Sequence, residues 1–404
     1  MVPAADGQPA SALPVPRAGA GLRVEVAAPV ARRPLRIALA HDWLVGMRGG
    51  ERVLDRLALL AGREHRGAVL YTLFDDGRPL TTSIDRLPRR VSKLGKLPVV
   101  GRRGRRWLLP LYPRGVRELS RMLAADHRRE PFDLVLSSSS AAVKGLAAPE
   151  GRAHVCYCHA PARYLWSQRE EYAKAHRAAA LGLALLGPAL RTWDRRSSGS
   201  VTHFVANSRY IAGEIARCYG REAMVVHPPV RTDFFTPHLG LEREDVWLFA
   251  GALEPYKRVD LAIAAAHRAG ARLFVAGEGS LRKRLRSDDR VTLLGRVSDH
   301  DLRDLFRRVR VLIFPQIEDF GIIAVEAQAC GCPVVARAAG GTLDTVVDGR
   351  TGALFEEATP EAIVEAVRRA PERATAACRA QAELFSEARF DEAMRGVIAR
   401  AVGE

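Results

Sequence analysis

The chain has 404 residues and a formal charge of +16, from 62 Lys and Arg against 46 Asp and Glu. At roughly 100–200 residues per domain, this length predicts two or three domains, each large enough for its own core. Hydrophobic residues at 48% and charged residues at 27% exclude a wholly disordered chain, six cysteines exclude a disulfide scaffold, and no apolar run reaches the roughly 20 residues of a membrane-spanning helix.

Residues 1–33 are rich in Ala, Pro and Gly and show no apolar periodicity, which predicts a flexible tail. From Leu35 a unit recurs: a short apolar run, a loop, then a helical pattern. Leu35–Ala40, Val69–Leu73, Leu134–Leu136, His154–Cys158, His203–Ala206 and Met224–His227 read as strands, with a helix over Glu51–Ala61. The second half repeats the rhythm. Strands are predicted at Trp247–Ala250, Leu273–Ala276, Val291–Leu294, Val311–Phe314 and Val334–Ala336, with helices over Arg258–Ala269 and Asp299–Arg308. Continuous apolar runs alternating with helices predict parallel strands buried on both faces. The expected fold is therefore two doubly wound α/β domains, 34–229 and 230–378, joined near Pro228–Thr236. A helical pattern over Arg379–Val402 ends the chain.

In open α/β sheets, ligands bind at the carboxyl ends of the strands. Gly251-Ala-Leu-Glu-Pro-Tyr-Lys257-Arg258 follows a strand and opens a helix. Two adjacent cations and the N–H groups of a helix start suit a diphosphate; a solvated cation pair fits the same residues equally well. Glu318-Asp-Phe-Gly321-Ile-Ile-Ala-Val-Glu326 follows the strand Val311–Phe314. Its two carboxylates can accept from sugar hydroxyls, and Gly321 permits close backbone approach; first-turn acids favoured by the helix dipole explain one Glu well and the pair with Gly321 less well. Gly277-Glu-Gly279 reads as a tight turn. Arg48-Gly49-Gly50-Glu51 lacks the dinucleotide fingerprint, which argues against hydride transfer. His159 ends a strand behind Cys156 and Cys158, which read as buried cysteines because no further metal ligands stand at recognised spacing. Asp299-His-Asp301 has the spacing of a metal-binding D-x-D, but behind Ser298 it reads as a helix cap. No metal and no bound cofactor are expected.

Together these residues resemble the retaining glycosyltransferases of family 4 (glycosyl transferases group 1). Glu318-x7-Glu326 matches that family's E-x7-E signature, and Ala-Leu-Glu-Pro-Tyr-Lys257-Arg258 resembles its donor-phosphate loop. Gly331-Cys-Pro-Val-Val, Gly340-Gly341 and Asp348-Gly-x-x-Gly352 resemble the family's stretch beyond E-x7-E. In the first half, His41-Asp-Trp-Leu, Arg48-Gly-Gly-Glu, Cys-Tyr-Cys-His159-x-Pro-x-Arg163-Tyr and Ala206-Asn-Ser208 resemble the O-antigen mannosyltransferase-like branch. The resemblance implies a GT-B fold: two Rossmann-like domains facing a cleft, with the last helix (379–404) crossing back to the first domain. It implies hexose transfer from a nucleotide-diphosphate sugar, GDP-mannose by the branch, to a glycan or lipid-linked acceptor. Lys257 and Arg258 should hold the diphosphate. Glu318 should contact the hexose, helped by the backbone of Phe320, Gly321 and Ile322. Glu326 should bind the ribose. Arg296 and Val297 should flank the base. Gly251 belongs to the phosphate loop, Gly49 and Gly50 should approach the diphosphate and acceptor, and His159 should face the transferred sugar. Many members carry Arg where this chain has Ala252.

Between Arg86 and Arg129 stand fourteen Lys/Arg against two acids. Arg102, Arg103, Arg105, Arg106 and Trp107 lie in its middle. Cations around an apolar patch suit an anionic membrane surface, each worth ~1 kcal/mol near it; a solvated arginine face fits as well. Aromatics at 6% are not interleaved with the arginines, so nucleic acid is not the expected partner. A cytoplasmic location is expected, at the inner face of the plasma membrane if the segment binds lipid. The alternatives are a basic nucleic-acid- or membrane-binding protein on a degenerate α/β core, or a sugar-nucleotide epimerase.

Overall fold

Strands β1 (Ile37–Leu44), β2 (Ala68–Asp75), β3 (Arg89–Val91), β4 (Leu134–Ser139), β5 (Ala153–Cys158), β6 (His203–Ala206) and β7 (Ala223–Val225) form one all-parallel sheet, in the order β3-β2-β1-β4-β5-β6-β7. Strands β8 (Glu244–Ala250), β9 (Arg272–Ala276), β10 (Val291–Gly295), β11 (Val309–Phe314), β12 (Val334–Arg337) and β13 (Gly352–Phe355) form a second, in the order β10-β9-β8-β11-β12-β13. The computed structural model describes residues 33–97, 104–167, 177–238 and 240–403. The tail expected at 1–33 lies outside them but for its last residue.

Both sheets are doubly wound, as the apolar runs predict. Helices used below are α1 (Gly49–Glu64), α2 (Tyr112–Arg129), α3 (Arg209–Tyr219), α4 (Val259–Ala269), α5 (Asp299–Arg308), α6 (Ile322–Ala329), α7 (Thr375–Glu383) and α8 (Glu387–Val402). Strand order reverses between β1 and β4 in the first sheet and between β8 and β11 in the second. Each reversal opens a crevice at the strands' carboxyl ends.

Two strands, β3 and β13, are not among those predicted from the sequence. β3 is Arg-Arg-Val, pairing on the β2 edge from Leu70 to Thr72. Arg89 there binds Asp75 (2.9 Å) and Asp85, and Arg90 binds Asp126 (2.8 Å). Part of the basic segment is thus structural. β13 pairs with β12 from Gly352 to Phe355, and a Cβ at Gly352 would lie 1.9 Å from the Val334 carbonyl oxygen. The D-G-x-x-G motif is therefore a turn that lets an edge strand approach closely.

The terminal helical pattern breaks in two. α7 packs on α6 of the second domain, while α8 returns to α1 and β5. Phe390, Met394, Val397 and Ile398 of α8 are buried in the same core as Leu39, Leu57 and Tyr157. The return to the first domain therefore starts near Ser386, not at Arg379. Pro34–Glu404 packs as a single unit. No described helix is long and apolar enough to cross a membrane.

Candidate active site

Three loops at the carboxyl ends of β8, β9 and β10 are laced together by backbone. Gly251 N donates to Ala276 O (3.0 Å), Leu253 N to Glu278 O (2.9 Å) and Gly277 N to Gly295 O (2.7 Å). A Cβ at Gly277 would sit 1.8 Å from the Gly251 carbonyl oxygen, and one at Gly279 would sit 2.4 Å from that of Leu253. The Gly277-Glu-Gly279 turn, incidental by sequence, is what lets the phosphate-loop candidate lie against its neighbour. Gly277→Ala is expected to destabilise the protein by on the order of 3 kcal/mol in chemical denaturation. An unchanged midpoint would contradict this packing.

Lys257 and Glu318 meet as an ion pair across the β8/β11 reversal, both largely buried. Burial pushes the Lys257 ammonium down to about 8, and the Arg163 guanidinium pushes in the same direction. Arg258 does not join this pair. It adopts left-handed backbone (φ 54), the one described non-glycine residue with positive φ, and its guanidinium turns to Asp260 at 3.0 Å. Such a conformation costs about 1 kcal/mol or more outside glycine.

The Glu318 loop is held from behind by Gly340 and Gly341. Gly341 N donates to Glu318 O (2.8 Å), and a Cβ at Gly341 would lie 2.3 Å from Phe320 Cα. The Phe320 ring is buried against His227 and Phe385, so only its backbone can face a ligand. Gly321 (φ 91) turns the chain into α6, and Glu326 lies one turn further, 1% exposed. Arg296 is exposed and Val297 half-buried beyond β10. Asp299 and Asp301 open α5. Ser298 Oγ accepts from Asp301 N (3.1 Å), and the Asp301 carboxylate accepts from Ser298 N (3.3 Å), which makes a reciprocal cap.

On the first domain, His41, Ser138 and His159 line the β1/β4 reversal. His41 Nδ1 lies 2.9 Å from Ser138 O, so that nitrogen carries a proton, and Ser138 Oγ lies 2.8 Å from His159 Nε2. Burial, then His41 and Arg163, push His159 down to about 3, so the ring is neutral at physiological pH. A Cβ at Gly50 would lie 3.5 Å from His41 Cε1 and 3.6 Å from His159 Nε2. Asp42, beside His41, accepts from Ser139 Oγ and from the backbone N–H groups of Ser140, Ala141, Ala142 and Val143 at 2.6–3.1 Å. It ties down the loop after β4.

The two sets face each other. A Cβ at Gly49 would lie 3.5 Å from Ile322 Cδ1, at the start of α6. Arg52 Nη1 binds Glu326 Oε1 at 2.5 Å, Arg163 pairs with Asp319, Ser208 Oγ donates to Asp319 O at 2.5 Å, and Arg209 Nε binds Asp344 at 2.6 Å. Three arginines of the first domain meet three carboxylates of the second.

Residues 47–234 match the family model "Glycosyltransferase Family 4", and residues 231–383 match "Glycosyl transferases group 1". Together the two matches run from residue 47 to residue 383. It is 41% identical over 155 residues to a D-inositol 3-phosphate glycosyltransferase of Mycobacterium sp. (strain KMS), covering 33% of this chain and 35% of that one. It is 35% identical over 227 residues to the protein of the same name from Mycobacterium bovis (strain BCG / Pasteur 1173P2), covering 47% of each. The match thus spans half or less of these curated relatives' length. Among solved structures, it is similar to sucrose-phosphate synthase from Thermosynechococcus elongatus (TM-score 0.69, 18% identity, 91% of this chain and 99% of that one). It is also similar to Anabaena Alr3699/HepE in complex with UDP and glucose (TM-score 0.63, 16% identity, 90% and 99%). At such identities the likeness shows the fold, and that fold is GT-B.

The structure brings Lys257, Glu318, Gly321 and Ile322 opposite Gly49, Gly50 and His159. It adds Arg52, Arg163 and Ser138, to which the sequence assigns no role. Arg163 stands four residues after His159 and Arg52 two after Gly50, but nothing local says which carboxylate either meets. Of the membrane-surface candidates, Arg102 and Arg103 lie outside the described residues. Arg105, Arg106 and Trp107 fall in the 3₁₀ stretch Gly104–Leu111, and their side chains lie outside the described residues too.

Proposed function

We propose that the protein transfers a hexose, with retention, from a nucleoside diphosphate sugar to a glycan or lipid-linked acceptor. One observation carries the reading: the Lys257–Glu318 pair sits at the β8/β11 reversal beside the start of α6. The bond from sugar C1 to the diphosphate breaks, and a bond from C1 to an acceptor oxygen forms on the same face. The departing phosphate takes the acceptor proton. Charge develops on that phosphate, where the Lys257 ammonium and the N–H groups at Gly321–Ile322 can stabilise it, while Arg258 is turned to Asp260. These groups supply the positive charge, so no metal is required in this scheme. Glu318 holds the hexose hydroxyls, Glu326 the ribose, and neutral His159 faces the sugar as a hydrogen-bonding partner. Closure of the cleft excludes water from the donor.

The first-domain motifs favour GDP-mannose. A thermal-shift panel of GDP, UDP, ADP and TDP sugars tests this, because a ligand that binds only the folded state raises its stability by mass action. Stabilisation by GDP-mannose, followed by EDTA-insensitive transfer to a polyprenyl-linked glycan, is expected. Stabilisation by none of the panel would overturn the reading.

For the acceptor side, α2 offers a surface. Arg114, Arg117, Arg121 and Arg128 are exposed on it, and none meets a carboxylate among the described residues. Their spacing places the first three along one helix face. We infer that this face docks on an anionic leaflet near a lipid-linked acceptor. In flotation, binding to phosphatidylglycerol vesicles is expected to fall about 100-fold when Arg114, Arg117 and Arg121 are all changed to Glu. Equal binding to neutral vesicles, or none to either kind, refutes it.

A further inference from the structure

Glu326 is not free to take a ligand as the structure stands. Its carboxylate is buried, and its Oε1 accepts from Arg52 Nη1 at 2.5 Å. Burial pushes the Glu326 carboxyl up, and Arg52 pulls it back down. With so little of it exposed, the carboxylate has no open edge for a vicinal diol while Arg52 stays. Arg52 comes from the opposite domain, one turn after Gly49 on α1. Its side chain is 33% exposed, so it has room to leave.

A second anionic place lies within its reach. Gly49 faces Ile322 at the start of α6, so α1 and α6 begin side by side. Glu326 is the fifth residue of α6. Moving from Glu326 to the N–H end of that helix takes the guanidinium about one turn, ~5.4 Å. The position is short of cations: residue 252 is alanine, and Arg258 is turned to Asp260, which leaves Lys257. The nearby Asp299 is itself paired with Arg231 at 2.5 Å.

We propose that Arg52 is an exchanged cation: it covers Glu326 in the empty site and moves onto the donor diphosphate when nucleoside hydroxyls take Glu326. This rests on the donor-site reading above. The exchange makes the ligand's two halves interdependent. A nucleoside alone displaces Arg52 and gives it nowhere to go. A nucleoside diphosphate displaces it and receives it, so the site selects the intact diphosphate from both ends.

Calorimetric titration separates the halves. Wild type, Arg52→Gln and Arg52→Ala are each titrated with GDP, UDP, ADP and TDP and with the matching nucleosides. Gln keeps an N–H donor for Glu326 and so guards the fold should the alanine variant fail. For the nucleotide that binds wild type, Arg52→Gln is expected to weaken the diphosphate ten- to hundredfold and to tighten the nucleoside severalfold. Arg52→Lys should restore part of the diphosphate affinity. Equal weakening of both ligands would make Arg52 a static support and overturn the exchange alone, as would no change in either. Failure of every nucleotide to bind wild type would overturn the donor-site reading and the exchange with it.

Discussion

Lys257→Ala and Glu318→Ala should each lower hexose transfer by a factor of about 10²–10³, the usual loss when one preorganised charge or donor is removed from a developing anion. The split between constants should differ. In the proposed scheme Lys257 acts on charge that grows as the bond breaks, so its loss should fall mainly on kcat. Glu318 in that scheme holds hydroxyls already present in the ground state, so its loss should raise KM as well. A pH series adds a signature. The Lys257 ammonium is held down at about 8 by burial, against an ordinary value near 10.5. Below that pH the cation is present and nucleoside diphosphate affinity should be flat. Above it each pH unit should weaken binding up to tenfold, and the slope should vanish in Lys257→Ala. Unchanged transfer in both variants would remove this pair from the site.

The second large effect concerns stability. Asp42 is 1% exposed and satisfies four backbone N–H groups and a hydroxyl. Asp42→Ala orphans those buried donors at once. The expected loss is on the order of 4 kcal/mol, a large part of the ~5–15 kcal/mol that separates folded from unfolded chains. Chemical denaturation should show an early transition, or the variant should not accumulate folded. A near-wild-type midpoint would mean that the loop after β4 can re-pair its donors elsewhere.

The repeat of apolar run, loop and helix made both sheets legible, because a parallel strand buried on both faces must be apolar throughout. β3 escaped this logic: as a three-residue edge it needs only to pair, and its arginines are neutralised by Asp75, Asp85 and Asp126. Glu318 and Glu326 were legible because their spacing is local to one loop and one helix, and Lys257 because it stands in the loop that follows β8. Arg52 and Glu326 are 274 residues apart, and Arg163 and Asp319 are as far beyond any local pattern. Such pairs exist only once two separately folded sheets face each other. The Gly277 turn looks incidental in the sequence for a related reason: its glycine is required by Gly251, which sits in a different loop.

The return of α8 has a consequence for synthesis. Phe390, Met394, Val397 and Ile398 complete a core whose other members begin at Leu35. The ribosome makes the entire second sheet before it makes those four side chains. The first domain therefore emerges early but waits with part of its apolar surface uncovered until the last helix arrives. The second domain, threaded between, needs none of α8 and can fold first. The nascent protein is then a finished second domain tethered to an unfinished first one, and that interval is where a chaperone would find it.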